Sequence, residues 1–103
     1  MKFETKGVYM TSGIQASVER GELNHSLLTQ CLGKHFMNEG EECKNDKKLN
    51  EDAIKYKSGR VLSVFKNVGG KKIYIITEGF HLIGDPVYGE EYPMTTILFP
   101  DEY

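Results

Sequence analysis

The pattern of apolar and polar positions is clearest in Arg60–Glu78, which predicts two strands joined by a tight turn. Val61, Ser63 and Phe65 fall on one side of the first strand, and Leu62, Val64 and Lys66 on the other, the period of two of a half-buried strand. Ile73, Tyr74, Ile75, Ile76 and Thr77 are apolar or β-branched on both sides, which predicts a central strand, covered on both faces or paired on both edges. Between them, Asn67-Val68-Gly69-Gly70 supplies two residues that accept positive φ without a Cβ clash, as hairpin turns require.

Upstream, the period changes. Gly7–Thr11 is a short apolar run that predicts an edge strand. Thr11 or Ser12 then caps a brief helical turn through Ile14–Val18, closed at Arg20-Gly21. Asn24 is a good N-cap for a longer helix over His25–Met37, where Leu27, Leu28, Cys31, Leu32 and Phe36 recur at spacings of three and four and predict one buried stripe. Asn38–Lys44 reads as a loop. Asp46 caps a second helix over Lys47–Lys57 with an apolar face of Leu49, Ala53 and Ile54, closed by Ser58-Gly59. Gly79–Pro93 holds three glycines, two prolines, two tyrosines and adjacent glutamates, and is too long for a simple turn. Met94–Phe99 is a last strand, stopped by Pro100. The expectation is a single α+β domain over residues 1–103: an antiparallel sheet of about four strands with two main helices packed on one face.

Composition narrows the class. A chain of 103 residues with 39% hydrophobic and 27% charged positions has the make-up of a folded globular domain. No apolar run approaches the ~20 residues that span a bilayer, and the N-terminus lacks the apolar region of a signal peptide, so the expected location is the cytoplasm. Cys31 and Cys43 fit that compartment as free thiols.

The net charge of −2 hides a segregation. Residues 44–72 carry nine basic and three acidic groups, a surplus of +6, whereas residues 73–103 carry six acidic groups and no basic one. A basic middle suits phosphates and an acidic tail suits a basic partner; mutual neutralisation across the folded surface stands equally open.

Four candidate chemistries follow. Cys31 and His35 lie four apart on one helix, with Cys43 beyond, but three candidate ligands without a paired knuckle are a poor zinc site, and a packed core thiol is the simpler reading. Glu78, His81 and Asp85 gather where the central strand enters the long loop. No nucleophile elbow, phosphate-binding loop or metal-carboxylate motif accompanies them, so the expectation is no catalytic residue, no metal and no cofactor. Lys55, Lys57, Arg60, Lys71 and Lys72 are nucleic-acid-binding candidates, with Tyr56 and Tyr74 available to stack on bases; the alternative is a solvated helix face and a lysine-tipped hairpin kept soluble. Tyr88 and Tyr92 with Glu90 and Glu91 offer rigid aromatic area beside negative charge, the composition of a protein-binding loop, unless the tyrosines pack back on the sheet.

Several fragments, in order and covering most of the chain, resemble a widespread family of short bacterial proteins carried on plasmids and integrative elements. They are TKGVYMTSGI (Thr5–Ile14), KHF (Lys34–Phe36), GEECKNDKKLNEDAI with its Gly40, Glu41, Asp46, Asn50 and Ala53, SGRVLSVF, IYIITE, and the closing TTILFPDEY (Thr95–Tyr103). Two departures stand out. A Gly-Asp-Trp-Gly turn usual in the family is here Met37-Asn38-Glu39-Gly40. A short Asp-Arg-Ser link is replaced by Gly79–Pro93, so that arginine's role does not carry over. Proteins of this size on mobile elements often antagonise host defences, and small inhibitors of Cas9 (type II anti-CRISPRs) are one such class. The resemblance thus implies a non-enzymatic anti-defence protein that binds Cas9 and interferes with guide RNA or DNA engagement. Its expected partner-binding residues are Glu78, His81, Asp85, Tyr88, Glu90, Glu91 and Tyr92. The alternative is a nucleic-acid-binding accessory protein of the element using the basic 44–72 segment. Either a monomer or a homodimer paired through the N-terminal edge strand fits the pattern.

Overall fold

The fold is described from a computed structural model, for residues 2–80 and 93–103. Four strands and three helices follow one another as β1 (Gly7–Met10), α1 (Ser12–Glu19), α2 (His25–Phe36), α3 (Lys44–Tyr56), β2 (Arg60–Val68), β3 (Lys71–Glu78) and β4 (Met94–Leu98), with a 3₁₀ turn at Pro100–Glu102. The sheet order is β1-β4-β3-β2. The segment read as central is central: β3 pairs on both sides, and Ile73, Ile75, Ile76 and Thr77 are all buried. Its turn uses Gly69 at φ 61° and Gly70 at φ 85°, and Asn67 Oδ1 accepts from the Gly70 N–H at 2.8 Å.

The class is α+β, but the sheet is mixed. β2–β3 and β3–β4 are antiparallel, whereas β1 runs parallel to β4, with Gly7 opposite Met94 and Met10 opposite Ile97. Alternation along a strand reports which side is buried and carries no information on direction. The whole helical segment lies between β1 and the hairpin, long enough for the crossover that parallel neighbours need.

Apolar side chains of one sheet face meet the helices in two clusters. Phe65, Ile73, Ile75 and Ile97 join Ile14 of α1 and Leu28 and Cys31 of α2; Val61 joins Phe36, Ala53, Phe3 and Phe80. The caps are Thr11, whose hydroxyl accepts from the Ile14 N–H at 3.3 Å, and Asn24, which accepts from Ser26 at 2.7 Å. α3 begins earlier than Asp46 implied: Cys43 is its N-cap, without a side-chain hydrogen bond, and Asp46 lies in the first turn. Two apolar positions read as buried are not. Leu27 is 38% and Leu49 64% exposed, while His35 and Asn50 point inward instead. Both polar side chains find partners there that no helical periodicity could reveal.

Candidate functional site

The helices and strands enclose two polar networks. Both ring nitrogens of His35 meet hydroxyls, Nδ1 with Ser63 Oγ and Nε2 with Thr77 Oγ1, each at 2.7 Å. Thr77 Oγ1 meets Thr95 Oγ1 at 2.7 Å, and Thr95 reaches Thr5 Oγ1 at 2.8 Å. Thr5 in turn donates to the carbonyls of Gly7 (2.9 Å) and Pro93 (3.2 Å). Those carbonyls only accept, so the direction of the row is fixed: Thr95 donates to Thr5, Thr77 to Thr95, and His35 Nε2–H to Thr77. Nδ1 is then the bare nitrogen and accepts from the Ser63 hydroxyl. A serine hydrogen-bonded to an imidazole that a third group orients has the outline of nucleophilic catalysis. Here Ser63, His35, Thr77 and Thr95 are each 0% exposed, so the pair is closed to solvent. Burial alone drives the His35 pKa down to about 3, so the ring is neutral. Cys31, buried, and Cys43, exposed, are both free thiols, and His35 has no nitrogen left for a metal.

The second network closes the outer edge of β2. Asn50 acts as a short piece of strand: its Oδ1 accepts from the Leu62 N–H at 3.0 Å and its Nδ2 donates to the Leu62 carbonyl at 2.7 Å. Glu42 Oε1 accepts from the Val64 N–H (3.1 Å), the Glu41 N–H donates to the Val64 carbonyl (2.7 Å), and Glu41 Oε1 accepts from the Lys66 N–H (2.7 Å). A Cβ on Gly40 would run into the Glu42 carboxylate and lie 3.0 Å from Ser63 Cβ, which explains glycine there. Among the described residues no buried side-chain polar atom lacks a partner.

The surface candidates divide. Lys55, Lys57 and Arg60 sit where α3 passes into β2; Lys71 and Lys72 open β3 at the hairpin tip. Arg60 pairs with Glu78 and Val68 with Lys71, so the two groups are about 26 Å apart along the strand. They form no single basic patch. Alternation puts Arg60 and Lys72 on the sheet face opposite the helices, where two tyrosines lie between them. The Arg60 guanidinium sits 5.0 Å from the Tyr103 ring centroid, Tyr103 meets Tyr74 edge-on at 6.2 Å, and Lys72 Nζ lies 5.8 Å from the Tyr74 centroid. Lys55 Nζ lies 5.3 Å from its own neighbour Tyr56. Lys71 lies 5.8 Å from the Phe99 centroid and 3.8 Å from Glu22, which also pairs with Arg20 at 3.0 Å. Arg20 lies outside the fragments that carry the resemblance, Phe99 and Tyr103 lie in the closing TTILFPDEY, and only the fold brings the three to these cations.

Glu78 is exposed at the end of β3, directly opposite Met94 of β4 and Arg60 of β2. The chain therefore leaves the sheet after Glu78 and returns at its cross-strand partner. His81, Asp85, Tyr88, Glu90, Glu91 and Tyr92 lie outside the described residues. In the acidic tail, Glu102 is committed to the fold: Oε1 accepts from the Thr11 hydroxyl at 2.7 Å and from the Phe99 N–H at 2.9 Å. Desolvation opposes its charge, but these bonds and one from the Gly13 N–H outweigh it and hold the carboxyl below the usual range.

The arrangement defines an α+β protein with a hydrogen-bonded polar interior and with cations beside Tyr56, Tyr74, Phe99 and Tyr103 at its surface. Compared with protein families, curated proteins and solved structures, the chain matches none. No helix among the described residues is long and apolar enough to cross a membrane.

Proposed function

We propose that this chain is a non-enzymatic anti-defence protein of a mobile element, in its most concrete form an anti-CRISPR protein that binds Cas9 and interferes with guide RNA or DNA engagement. The observation that supports it most is the pairing of Glu78 with Met94. A segment whose two ends rest on adjacent, hydrogen-bonded strands is anchored at both feet, here by buried Phe80 and by the Pro93 carbonyl that accepts from Thr5, so what lies between those two residues can vary in length and content without disturbing the sheet. Tyr88, Glu90, Glu91 and Tyr92 belong to that segment, and electrostatic complementarity with a basic protein surface speeds encounter and fixes register. The sealed Ser63–His35 pair supports the non-enzymatic side of the reading, because the one catalytic-looking contact among the described residues is closed to solvent.

The test is binding of the purified protein to Cas9, to guide RNA alone and to the loaded complex, at two salt concentrations, alongside a cleavage assay. The expected result is binding to Cas9 with cleavage blocked, lost in Tyr88→Ala/Tyr92→Ala and Glu90→Ala/Glu91→Ala. Failure to bind Cas9 in either form sinks it.

A second reading, a nucleic-acid-binding accessory protein, is favoured by one specific observation: the row Arg60, Tyr103, Tyr74 and Lys72.

A further inference from the structure

The surface row continues past Lys72. Lys71 and Lys72 also line an open groove of about 490 Å³ with Arg20, Gly13, Phe99 and Asp101. Cations and rings thus meet on both sides of the sheet at its hairpin end: Arg20 and Lys71 with Phe99 on the helix side, Lys72 with Tyr74 and then Tyr103 under Arg60 on the other, the groove joining them around the strand ends. From Lys72 to the level of Arg60 the course spans about 20 Å, six residues of β3.

We propose that this course is a path for single-stranded nucleic acid, with bases stacking on Tyr103 and Tyr74 and phosphates meeting Arg60, Lys72, Lys71 and Arg20. The inference rests on the nucleic-acid-binding reading and names its ligand and its residues. Each element of the geometry selects that ligand. Tyr103 is 56% exposed, meets Tyr74 at a steep angle rather than stacked on it, and carries Arg60 over one face, so a base has the remaining exposed ring surface to stack on. A base within a duplex has both faces covered by its neighbours, whereas an unpaired base offers a face to a ring. Arg60 and Lys72 flank the two tyrosines, one cation at each end, which is where the phosphates of a strand stacked on those rings fall. The carboxylates along the course, Glu22, Asp101 and Glu78, nearly balance its four cations. Affinity is then carried chiefly by stacking, with few counterions released.

The experiment is fluorescence anisotropy of the full chain with labelled oligo-dT, oligo-rU and a matched DNA duplex, across a salt series. The expected outcome is binding to the single strands, at least about tenfold weaker binding to the duplex, and a slope of log affinity against log salt between about −1 and −3. Tyr103→Ala and Lys72→Ala each weaken single-strand binding about fivefold or more. Lys55→Ala/Lys57→Ala leaves it unchanged. Circular dichroism of each variant separates lost binding from lost fold, and the exposed Tyr103 and Lys72 are positions where the fold tolerates truncation. Single-strand binding that is indifferent to Tyr103→Ala and Lys72→Ala and lost in the Lys55/Lys57 variant overturns the path while keeping the broader reading. Binding to neither oligonucleotide overturns both, and leaves the Cas9 reading to its own assay.

Discussion

The two faces of the sheet spend their polar groups in opposite ways. On the helix-covered face, Ser63, Thr77 and Thr95 stand among Ile73, Ile75 and Ile97, and each hydroxyl is consumed by a neighbour in a row ordered by His35 and ended by two backbone carbonyls. On the other face, Arg60, Lys72, Tyr74 and Tyr103 touch one another through cation–ring and ring–ring contacts at 5.0 to 6.2 Å. Polar groups in a low-dielectric interior are costly unless every one is paired, and once paired they exclude alternative packings. Groups at the surface gain little from each other and stay available to a third party. The covered face therefore specifies the fold, whereas on the other face Ile76 and Leu98 are buried and the exposed Arg60, Lys72 and Tyr103 are left facing solvent.

The sharpest way to break that contrast is His35→Ala. It removes the partner of both Ser63 and Thr77 and opens a cavity beside Phe3 and Phe36, for an expected loss of about 3–5 kcal/mol in chemical denaturation. A loss under 1 kcal/mol would show the row to be incidental. Asn50→Ala uncovers the Leu62 N–H and carbonyl on the β2 edge. About 2–3 kcal/mol is expected, with a rise in aggregation measured by light scattering, because an uncovered edge offers itself to another strand.

Acid probes the same row without mutation. His35 is neutral in the fold down to about pH 3, whereas in the unfolded chain it takes up a proton near its ordinary value of 6.5. The unfolded state thus binds the extra proton, so this contribution is fully present above pH 6.5 and is lost as pH falls from there toward 3, at most about 1.4 kcal/mol per pH unit. The His35 ring signals in an NMR titration are expected to hold still from pH 8 to 4; movement centred near 6.5 contradicts the burial argument. The smallest effect belongs to the open face. Tyr103→Ala is expected to change stability by less than about 1 kcal/mol, and a larger loss would make Tyr103 part of the fold rather than of a surface.

Much of the fold was legible from periodicity and turn chemistry. The β2–β3 hairpin, its Gly69-Gly70 turn, the central place of β3, the edge place of β1 and the Thr11 and Asn24 caps all follow from local rules. The helix-face departures share one cause. Periodicity puts Leu49 on the buried face and leaves Asn50 out, because apolarity is its only guide to which side of α3 faces inward. The fold turns Asn50 inward since a carboxamide can satisfy one backbone N–H and one carbonyl at a strand edge, as leucine cannot. His35, which the sequence offers only as a weak metal-ligand candidate beside Cys31, turns inward for the same reason, its ring nitrogens meeting Ser63 and Thr77.

The fragments that carry the resemblance also read differently in three dimensions. His35, Gly40, Asn50, Ser63, Thr77, Thr95 and Glu102 lie within them, and each serves the two interior networks or the tie between the last turn and α1. Those residues describe how the chain folds, while Arg60, Tyr74, Glu78 and Tyr103, which the binding readings use, lie in the same fragments.

By itself, the sequence determined the elements, their order, the α+β class and the split of charge between the basic middle and the acidic tail, because these depend on residues close together along the chain. Tertiary structure alone decided that β1 runs parallel to β4, that Ser63, His35, Thr77, Thr95 and Thr5 form one directed row, and that Arg20, Phe99 and Tyr103 join the lysines and Arg60. Those relations link residues up to 90 positions apart. Hydrogen bonds and cation–ring contacts depend on distances and angles that only the folded backbone supplies.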